Sequence, residues 1–407
     1  MIKNMNITKA VILAAGEGTR MRPLTLNRPK VMLPIANKPI LEHVMVEMQQ
    51  TGISEFIFVV GYHDEQIRNY FGNGEKWGIG IQYIKQKEQL GTADALAATE
   101  GLLNETFLLA NGDAVIGHQD ITQLIGRDGN VLSTIELPDV SGLGVIKVKS
   151  DHVVKIYEKM QNPPSHLVNA GLYLFSPDIF DAIKKIARSP RGEYELTDAI
   201  QMLVDSGQKV SCQEINSWLN FSYPWDLLAA NEEVMAKLEP QMSGQMEENV
   251  VINGPVSIGQ GTIILSGSYI VGPVIIGRNC VIGPNCYIRP VTVVADGCHI
   301  GAAVEVKNSI IMSGSKVPHL SYVGDSIIGE NCNLGAGTKI ANLRLDEQTV
   351  KIGDLDTKRR KLGAIIGDNV KTGINSCINT GTVIGNDTFI GPGARASGII
   401  PPGSKIK

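Results

Sequence analysis

The strongest constraint on the fold is a ladder of aliphatic residues in the second half of the chain. From Ile252 to Val306 every sixth residue is isoleucine or valine, and glycine follows the ladder position at residues 259, 277, 283 and 301. A fixed short period with one aliphatic side chain per step predicts a solenoid whose flat faces stack on one core. A β-sandwich would instead carry turn signals every eight to twelve residues or so. We therefore predict a parallel β-helix.

The ladder loses its phase twice, between Val306 and Ile328 and between Ile340 and Ile366. Each gap predicts a loop extruded from the solenoid, and such loops on rigid scaffolds often carry functional residues. The first gap contains a histidine, His319, and the second contains a basic segment at 358–361.

The first half of the chain alternates short β-branched runs with helical stretches. We predict strands at 10–14, 56–60, 79–84, 107–110 and 172–175, and helices at 41–50, 94–103 and 198–205. This alternation indicates a Rossmann-like α/β domain with a mostly parallel sheet, whose ligands bind beyond the carboxyl ends of the strands. The predicted domains are 1–238 and 251–407, joined by a polar, Met-rich linker at 239–250.

Composition and charge exclude several classes of partner. Lys and Arg total 37 and Asp and Glu total 41, a net charge of −4. This balance offers no basic field for nucleic acid or an anionic membrane, so we expect small-molecule partners. No apolar run near the start could span a bilayer or act as a signal segment, which favours a cytoplasmic protein. The six cysteines form no CxxC pair and are predicted to be reduced packing residues.

A glycine-rich segment follows the first predicted strand. Residues 13–23 read Leu-Ala-Ala-Gly-Glu-Gly-Thr-Arg-Met-Arg-Pro, and Pro29-Lys30 comes shortly after. Glycines at a strand end let backbone N–H groups approach a triphosphate, and Arg20 and Lys30 can neutralise charge on its phosphates. The spacing fits neither a dinucleotide fingerprint nor a Walker loop. Alone, such a turn is equally compatible with a structural role.

Together with Asn111-Gly112-Asp113 and Glu158-Lys159, this segment resembles the sugar-phosphate nucleotidylyltransferase family, over residues 9 to about 235. The resemblance implies transfer of a nucleotidyl group from UTP or dTTP to a sugar 1-phosphate, with Arg20 and Lys30 as catalytic residues. It implies that the nucleotide is bound by Ala14, Ala15, Gly16, Gln86, Gly91 and Thr92, with Gln86 reading the base. It implies that the sugar phosphate is bound by Gly144, Glu158, Lys159 and Asn169.

The resemblance also implies Mg²⁺, with Asp113 and Asp226 as its ligands. Carboxylates suit this hard cation, and phosphoryl transfer depends mainly on positioning and positive charge. Asp226 has a second interpretation, because it stands where an N-cap would open a helix running to Lys237.

The run from Pro318 to Asp325 and the following coil resemble the acetyltransferase half of a bacterial bifunctional enzyme family, which acetylates glucosamine 1-phosphate and uridylylates the product. The resemblance implies that His319 is a general base. It implies sugar-phosphate contacts at Arg289, Lys307, Tyr322 and Asn333. We expect acetyl-CoA contacts at Ala336, Asn342 and Lys351, the last two as compensation for Gln348, which stands where the bacterial enzyme has lysine. The backbone near Ala336 could stabilise the oxyanion. The second gap is longer and more basic than the bacterial pattern and closer to archaeal members.

Three functions therefore stay open. The first is a bifunctional enzyme that makes a UDP-N-acetylhexosamine, using acetyl-CoA and a nucleoside triphosphate. The second is a monofunctional glucose-1-phosphate thymidylyl- or uridylyltransferase whose β-helix is a scaffold, and the third is a regulatory subunit of the translation-initiation exchange-factor type. Arg20, Lys30 and Asp113 argue against the third. The resemblance implies a left-handed β-helix and a homotrimer. Glucose, glucosamine and galactosamine 1-phosphate all remain possible acceptors.

Overall fold

The structure, a computed structural model, describes residues 7–158, 160 and 162–407. The chain divides into two compact units. The first contains residues up to 17, 28–32 and 39–220, and the second contains 18–27, 33–38 and 221–407. In the described part of the chain, no helix combines the length and the apolar character needed to cross a membrane.

A nine-stranded sheet forms the centre of the first unit. Its strands are β1 (Lys9–Ala14), β2 (Glu55–Val60), β3 (Gly80–Lys85), β4 (Phe107–Asn111), β5 (Asn130–Glu136), β6 (Gly144–Lys149), β7 (His152–Glu158), β8 (Leu167–Phe175) and β9 (Val210–Glu214). They lie in the order β3-β2-β1-β4-β8-β5-β9-β7-β6. Strands β1 to β4 pair in parallel, as do β5 and β9. Strand β8 is antiparallel to β4 and β5, and β7 is antiparallel to β6 and β9. The predicted parallel pairing is therefore found in β1 to β4, the four strands that come first in the chain.

Helices cover the sheet of the first unit. They are α1 (Ile40–Gln49), α2 (Asp64–Phe71), α3 (Thr92–Ala97), α4 (His118–Ile125), α5 (Asp178–Ile183) and α6 (Leu196–Asp205), with single 3-10 turns at Lys30–Met32 and Glu75–Trp77. A short ribbon pairs Ala114–Val115 with Leu219–Asn220. Buried residues of β1, β4 and α6 share one apolar core, which gives the unit its stability.

One predicted helix is shorter than expected. The prediction extended to residue 103, but α3 ends at Ala97. The Thr99 hydroxyl donates to the carbonyl of Leu96, and Gly101 adopts a positive φ of 88°. These turns end the helix, because Thr can hydrogen-bond the local backbone and glycine readily takes left-handed geometry.

The second unit is the predicted parallel β-helix, built from three sheets. One contains Gln241–Met242, Val256–Ile258, Val274–Ile276, Thr292–Val294, Ile310–Ile311, Ile327–Ile328, Ala364–Ile366, Thr382–Ile384 and Ile399–Ile400. The next contains Gln245–Met246, Ile263–Ile264, Val281–Ile282, His299–Ala302, Lys316–His319, Asn333–Leu334, Lys371–Thr372, Phe389–Ile390 and Lys405–Ile406. The last contains Val251–Asn253, Tyr269–Val271, Tyr287–Ile288, Glu305–Lys307, Tyr322–Gly324, Lys339–Ile340, Cys377–Ile378 and Arg395–Ala396. Residues 239–250, predicted as a linker, therefore contribute two strands to these sheets.

Three hexapeptide steps make one coil, because Val256 pairs with Val274 and Val274 pairs with Thr292. The ladder from Ile258 to Val306 is at most 1% exposed, so its side chains form the predicted core. All six cysteines are free thiols and all except the exposed Cys377 are buried, as predicted for packing residues.

The first predicted loop does not exist. Between Val306 and Ile328 the buried ladder continues through Ile311, Val317 and Val323. Two of these steps are one residue shorter than the others, so the loss of phase comes from shortened corners and not from an insertion. His319 consequently ends the strand Lys316–His319.

The second predicted loop is confirmed. Ile327 pairs with Ile365 and Ile340 pairs with Ile378, so residues 341–363 leave the coil and return to it in register. Within this loop, Lys351–Ile352 and Leu355–Asp356 form an antiparallel hairpin.

The second unit also contains helix α7 (Asp226–Met235), a 3-10 turn at Thr19–Met21 and the short strand Pro34–Ile35, which pairs with Lys38–Pro39. The amide of Asn37 donates to the carbonyl of Val294 over 2.9 Å, and that of Asn27 donates to Asp368 over 3.3 Å. Segments 18–27 and 33–38 are therefore bonded to coils of the β-helix.

Candidate active sites

The phosphate-binding candidates of the first unit meet at the carboxyl ends of β1 and β4. The Nζ atom of Lys30 lies 2.5 Å from Oδ2 of Asp113. Gly112 allows this arrangement, because a Cβ there would lie 2.8 Å from the carbonyl oxygen of Leu13. The structure thus brings together one predicted cation and one predicted metal ligand.

The predicted nucleotide loop is exposed at Gly16 and buried at Ala14 and Ala15. The carbonyl of Ala15 accepts hydrogen bonds from the Gln89 side chain (3.0 Å) and the Tyr62 amide (3.2 Å). These bonds connect the end of β1 with the segments that follow β2 and β3.

Gln86 is buried, and its amide group is oriented by two hydrogen bonds. Its Nε2 donates to the carbonyl of Gly91 over 3.1 Å and to Asp94 over 2.8 Å. Both amide hydrogens are therefore used, which leaves Oε1 as an acceptor. Gly91 has a φ of 110°, and a Cβ there would lie 2.5 Å from the carbonyl oxygen of Tyr194. The Thr92 hydroxyl accepts from the backbone of Leu196.

The described sugar-binding candidates also meet in space. Gly144 pairs with Glu158, and a Cβ at Gly144 would lie 3.1 Å from Oε2 of that residue. Asn169 lies beside them and donates to the hydroxyl of Tyr173 over 2.8 Å. Burial raises the pKa of Tyr173, and the Glu158 carboxylate adds to the shift. Lys159, the remaining candidate, lies outside the described residues.

Arg20 and Asp226 lie in the second unit and converge on Tyr223. The Arg20 guanidinium carbon is 5.8 Å from the Tyr223 ring centroid. Asp226 Oδ2 accepts the backbone N–H groups of Ser222 and Tyr223, each at 2.7 Å. Asp226 is the first residue of α7 and Trp225 is its N-cap, so the N-cap interpretation is wrong. The carboxylate instead binds N–H groups that precede the helix.

The Asp113 carboxylate has the chemistry and the accessibility that a Mg²⁺ ligand needs. Asp113 follows a strand end and its side chain is 36% exposed, so a ligand can reach this carboxylate. Among the described residues, no group of three or more His, Cys, Asp or Glu side chains could hold a metal. Mg²⁺ commonly binds through one or two carboxylates, with waters and substrate phosphates completing the shell. Such a carboxylate therefore suits a cation that arrives with a nucleotide.

Arg289 and Lys307 form a pair of cations on adjacent coils. Ile288 pairs with Val306, so the two residues that follow are neighbours across the sheet. The Arg289 guanidinium donates to Glu305 over 2.8 Å, and this bond raises the pKa of Arg289. Lys307 is 3.2 Å from Asp325. Two adjacent cations at a partly exposed corner suit a phosphate ester.

His319 is exposed at the end of its strand. Its carbonyl accepts the Gly337 N–H over 3.1 Å, which places Ala336 on the adjacent coil. His299 lies on the preceding coil, and burial, followed by the charges of His319 and Lys316, lowers the pKa of His299. The predicted base and the predicted oxyanion position are thus neighbours. Asn333 is exposed in the same sheet, where it pairs with Lys316.

Tyr322 and Asn342 are joined by a hydrogen bond of 3.1 Å in which the amide donates. The tyrosine proton is therefore not used in this bond. Burial raises the pKa of Tyr322, and the nearby Asp325 and Glu305 carboxylates add to the shift. Gly324 makes room for both groups, because a Cβ there would lie 2.6 Å from the hydroxyl of Tyr322 and 2.7 Å from the amide nitrogen of Asn342.

The basic segment of the 341–363 loop is partly neutralised within the chain. Arg359 donates to Glu232 of α7 over 3.0 Å, and Arg360 is bonded to Glu347. Lys351 is exposed on the hairpin. Arg359 and Arg360 are thus paired with carboxylates.

Sequence reasoning missed Arg191, Glu305 and Asp325. Arg191 donates to the predicted sugar-binding residue Glu158 over 3.2 Å, and no local pattern marks it. Glu305 and Asp325 stand one coil of sequence before Tyr322 and Asn342, but only the pairing of the coils in the structure shows that these residues meet.

Comparison with known proteins matches both halves of the chain. A nucleotidyl transferase family model matches residues 9–237, and the GMPPB C-terminal domain model matches 270–390. The bifunctional protein GlmU of Methanocaldococcus jannaschii is 42% identical over 94% of this chain and 93% of its own. The bifunctional sugar-1-phosphate nucleotidylyltransferase/acetyltransferase of Sulfurisphaera tokodaii is 40% identical over 95% and 96%.

A solved structure of UDP-glucose pyrophosphorylase complexed with UDP-glucose is similar in fold. It superimposes with a TM-score of 0.52 at 23% identity, over 57% of this chain and 99% of that one. The nucleotidyltransferase fold of the first half is therefore shared with a solved protein.

Proposed function

Because the chain belongs to the family of bifunctional GlmU-type sugar-1-phosphate nucleotidylyltransferase/acetyltransferases, we propose that it makes a UDP-N-acetylhexosamine in two reactions. One is acetyl transfer from acetyl-CoA to an amino-sugar 1-phosphate, and the other is nucleotidyl transfer to a sugar 1-phosphate. The observation that carries this proposal is the corner cluster of Arg289, Lys307 and Tyr322, with His319 at the end of the strand that precedes Tyr322 in the chain. A β-helix that served only as a scaffold would have no need for these groups together.

In nucleotidyl transfer, an oxygen of the sugar phosphate attacks the α-phosphorus of the nucleotide, and the bond to the β-phosphate breaks to release pyrophosphate. Lys30 and Arg20 would stabilise the negative charge on the phosphates. Asp113 would hold Mg²⁺, which supplies further positive charge when bound. The role of Asp226 as a second ligand is supported by the family resemblance.

UTP or dTTP is the proposed nucleotide. The N3–H of uracil and thymine is a donor, and the oriented Oε1 of Gln86 is an acceptor. Gln86 is buried and its amide is held in one orientation by Gly91 and Asp94, so its Oε1 is a preorganised acceptor for the base.

In acetyl transfer, the amine nitrogen attacks the thioester carbonyl, the carbon–sulfur bond breaks, and CoA leaves as a thiolate, which becomes a thiol by taking up the proton that the amine loses. His319 would accept the proton that the amine loses, and the backbone near Ala336 would donate to the oxyanion. Arg289 and Lys307 would bind the phosphate of the acceptor, with Tyr322 and Asn333 around the sugar. Asn342 and Lys351 are the proposed contacts to acetyl-CoA.

We further propose a homotrimer in the cytoplasm, where both donors are available. The test of the function is a substrate panel on the purified full chain. Each nucleoside triphosphate is combined with glucose, glucosamine, galactosamine and N-acetylglucosamine 1-phosphate, while pyrophosphate and thiol release are followed with and without acetyl-CoA. Acceptor-dependent thiol release is expected with an amino-sugar 1-phosphate. Pyrophosphate release without any thiol release would identify the monofunctional enzyme.

A further inference from the structure

Asp325 is a buried carboxylate at a corner of the β-helix, and it was not among the predicted site residues. It is 2% exposed. A buried carboxylate is destabilising unless hydrogen bonds and opposite charge compensate it. Three side chains do so. Lys307 (3.2 Å) and Asn342 (2.5 Å) donate to Oδ2, and Asn308 (2.9 Å) donates to Oδ1.

Asn308, Asp325 and Asn342 occupy equivalent corners of successive coils. Lys307 pairs with Gly324, so Asn308 and Asp325 follow at the same corner. Asn342 comes one coil later and opens the 341–363 loop. The backbone carbonyl of Asp325 accepts the N–H of Gly363 over 2.8 Å, so this residue contacts both ends of the loop.

We propose that Asp325 is a positioning residue for acetyl transfer. Its carboxylate fixes the Lys307 ammonium and the Asn342 amide relative to each other. Lys307 belongs to the acceptor side of the proposed reaction and Asn342 to the donor side, so Asp325 aligns the two substrates. This inference rests on the proposed acetyl transfer, because the roles of both partners are assigned there.

Lys307 and Asn342 need a positioning residue because both have side chains that can adopt several conformations. A lysine ammonium ends a flexible four-carbon stem, and an asparagine amide can rotate about its terminal torsion. One shared acceptor restricts both groups before substrate arrives, and misplacement of a reacting group by about 1 Å can cost roughly 100-fold in rate. Asp325 is too deeply buried to be a principal contact for substrate, so its effect is transmitted through Lys307 and Asn342.

The test uses Asp325→Asn in the full chain, because asparagine preserves the shape and removes the charge. We expect the KM values for glucosamine 1-phosphate and acetyl-CoA to rise roughly 10–100-fold, the effect of losing a charge-assisted hydrogen bond. Nucleotidyl transfer by the same preparation should stay at the wild-type rate. Asp120→Asn is the matched control, since Asp120 is equally buried and accepts backbone N–H groups in the first unit.

A double-mutant cycle separates positioning from a general loss of stability. If Asp325 acts through Lys307, adding Asp325→Asn to Lys307→Met should raise the KM for glucosamine 1-phosphate little further. Multiplicative effects would overturn the proposal, as would wild-type KM values in Asp325→Asn. Should Asp325→Asn fail to fold, Lys307→Met and Asn342→Ala provide the cycle, and independent effects of these two would overturn it.

Failure of the proposed acetyl transfer can be distinguished from failure of the positioning role, because it would already appear in the wild type. If the wild type shows no acceptor-dependent thiol release, acetyl transfer is refuted, and calorimetric titration with glucosamine 1-phosphate and CoA decides the role of Asp325. Weaker binding of both compounds by Asp325→Asn would support positioning. Equal affinity in the two proteins, or no binding by the wild type, would overturn it.

Discussion

The Lys30 ammonium and the Asp113 carboxylate form an ion pair of 2.5 Å at the carboxyl ends of β1 and β4. The side chain of Asp113 is 36% exposed and that of Lys30 is 11% exposed, so the carboxylate is the more accessible partner. A nucleotide that binds together with a metal ion needs an anionic group for the cation and a cationic group for its phosphates, and Asp113 and Lys30 carry these charges. We therefore expect substrate binding to separate the pair, with Asp113 turning to the cation and Lys30 to a phosphate oxygen.

Asp113→Asn should abolish Mg²⁺-dependent pyrophosphate release, because a neutral amide is a poor ligand for a hard cation and cannot form an ion pair with Lys30. Acetyl transfer, followed as thiol release, should be unchanged. Chelation of divalent cations in the wild type should reproduce this selective loss. Undiminished pyrophosphate release by the variant would refute the assignment of Asp113.

UTP or dTTP should be used at least about 100-fold better than ATP, measured as kcat/KM, because a site built on specific hydrogen bonds rejects partners that leave them unpaired. Gln86→Glu should weaken the use of the preferred nucleotide, since a carboxylate would repel Asp94 and lose the bond to Gly91. Gln82→Glu, the same change at an exposed position of β3, is the control. Equal turnover of ATP and UTP would contradict the role of Gln86.

His319→Ala should lower the kcat of acetyl transfer by roughly 10²–10⁴-fold, the usual contribution of a positioned base. Arg289→Ala should chiefly raise the KM for the amino-sugar phosphate, if its contact is equally strong in the ground and transition states. Neither change should alter pyrophosphate release. His166→Ala, at an exposed histidine of the first unit, controls for loss of an imidazole. Full acetyl transfer by His319→Ala would exclude it as the base.

His319→Ala should also raise the pKa of His299. Burial is the main cause of the lowered pKa of His299, and the charge of His319 is the next. NMR titration of the His299 ring measures this shift, and an unchanged pKa would show that the two rings do not interact.

The lowered pKa of His299 also makes the stability of the fold depend on pH. The unfolded chain binds the proton first as pH falls, so His299 makes the fold less stable below its ordinary pKa, and His299→Gln should reduce that acid sensitivity.

Gly324→Ala should impair acetyl transfer while leaving the β-helix folded. The added methyl group would meet the hydroxyl of Tyr322 and the amide of Asn342, and both are ends of side chains that can move aside. Displacement of these two groups should raise the KM for substrates of acetyl transfer, and the melting temperature should fall only moderately, because Lys307 and Asn308 still compensate the Asp325 carboxylate. Wild-type kinetics in this variant would argue against roles for Tyr322 and Asn342.

The buried ladder was predictable because one aliphatic residue per step is a local, repeated signal. The gap after Val306 was misjudged for a physical reason. A shortened corner and an inserted loop both shift the phase, and only the pairing of Lys307 with Gly324 distinguishes them. The Lys30–Asp113 contact could be anticipated only through family resemblance, since the fold alone brings these distant residues together. Asp325 resembles an ordinary turn residue between Gly324 and Ser326, and its burial depends on neighbouring coils.

The return of the chain to register after residue 363 makes the 341–363 segment an exchangeable module. Each coil pairs only with the coils next to it, so a longer or shorter excursion leaves the strand pairing of the β-helix unchanged. The aliphatic stack continues from Ile340 to Ile378 as though the intervening residues were absent. A segment from a related chain can therefore be grafted between Asn342 and Gly363, with Asp325 as the fixed anchor at both junctions. Because Lys351, a proposed acetyl-CoA contact, lies in this segment, such an exchange would change the donor side of the proposed reaction and leave the acceptor corner in place.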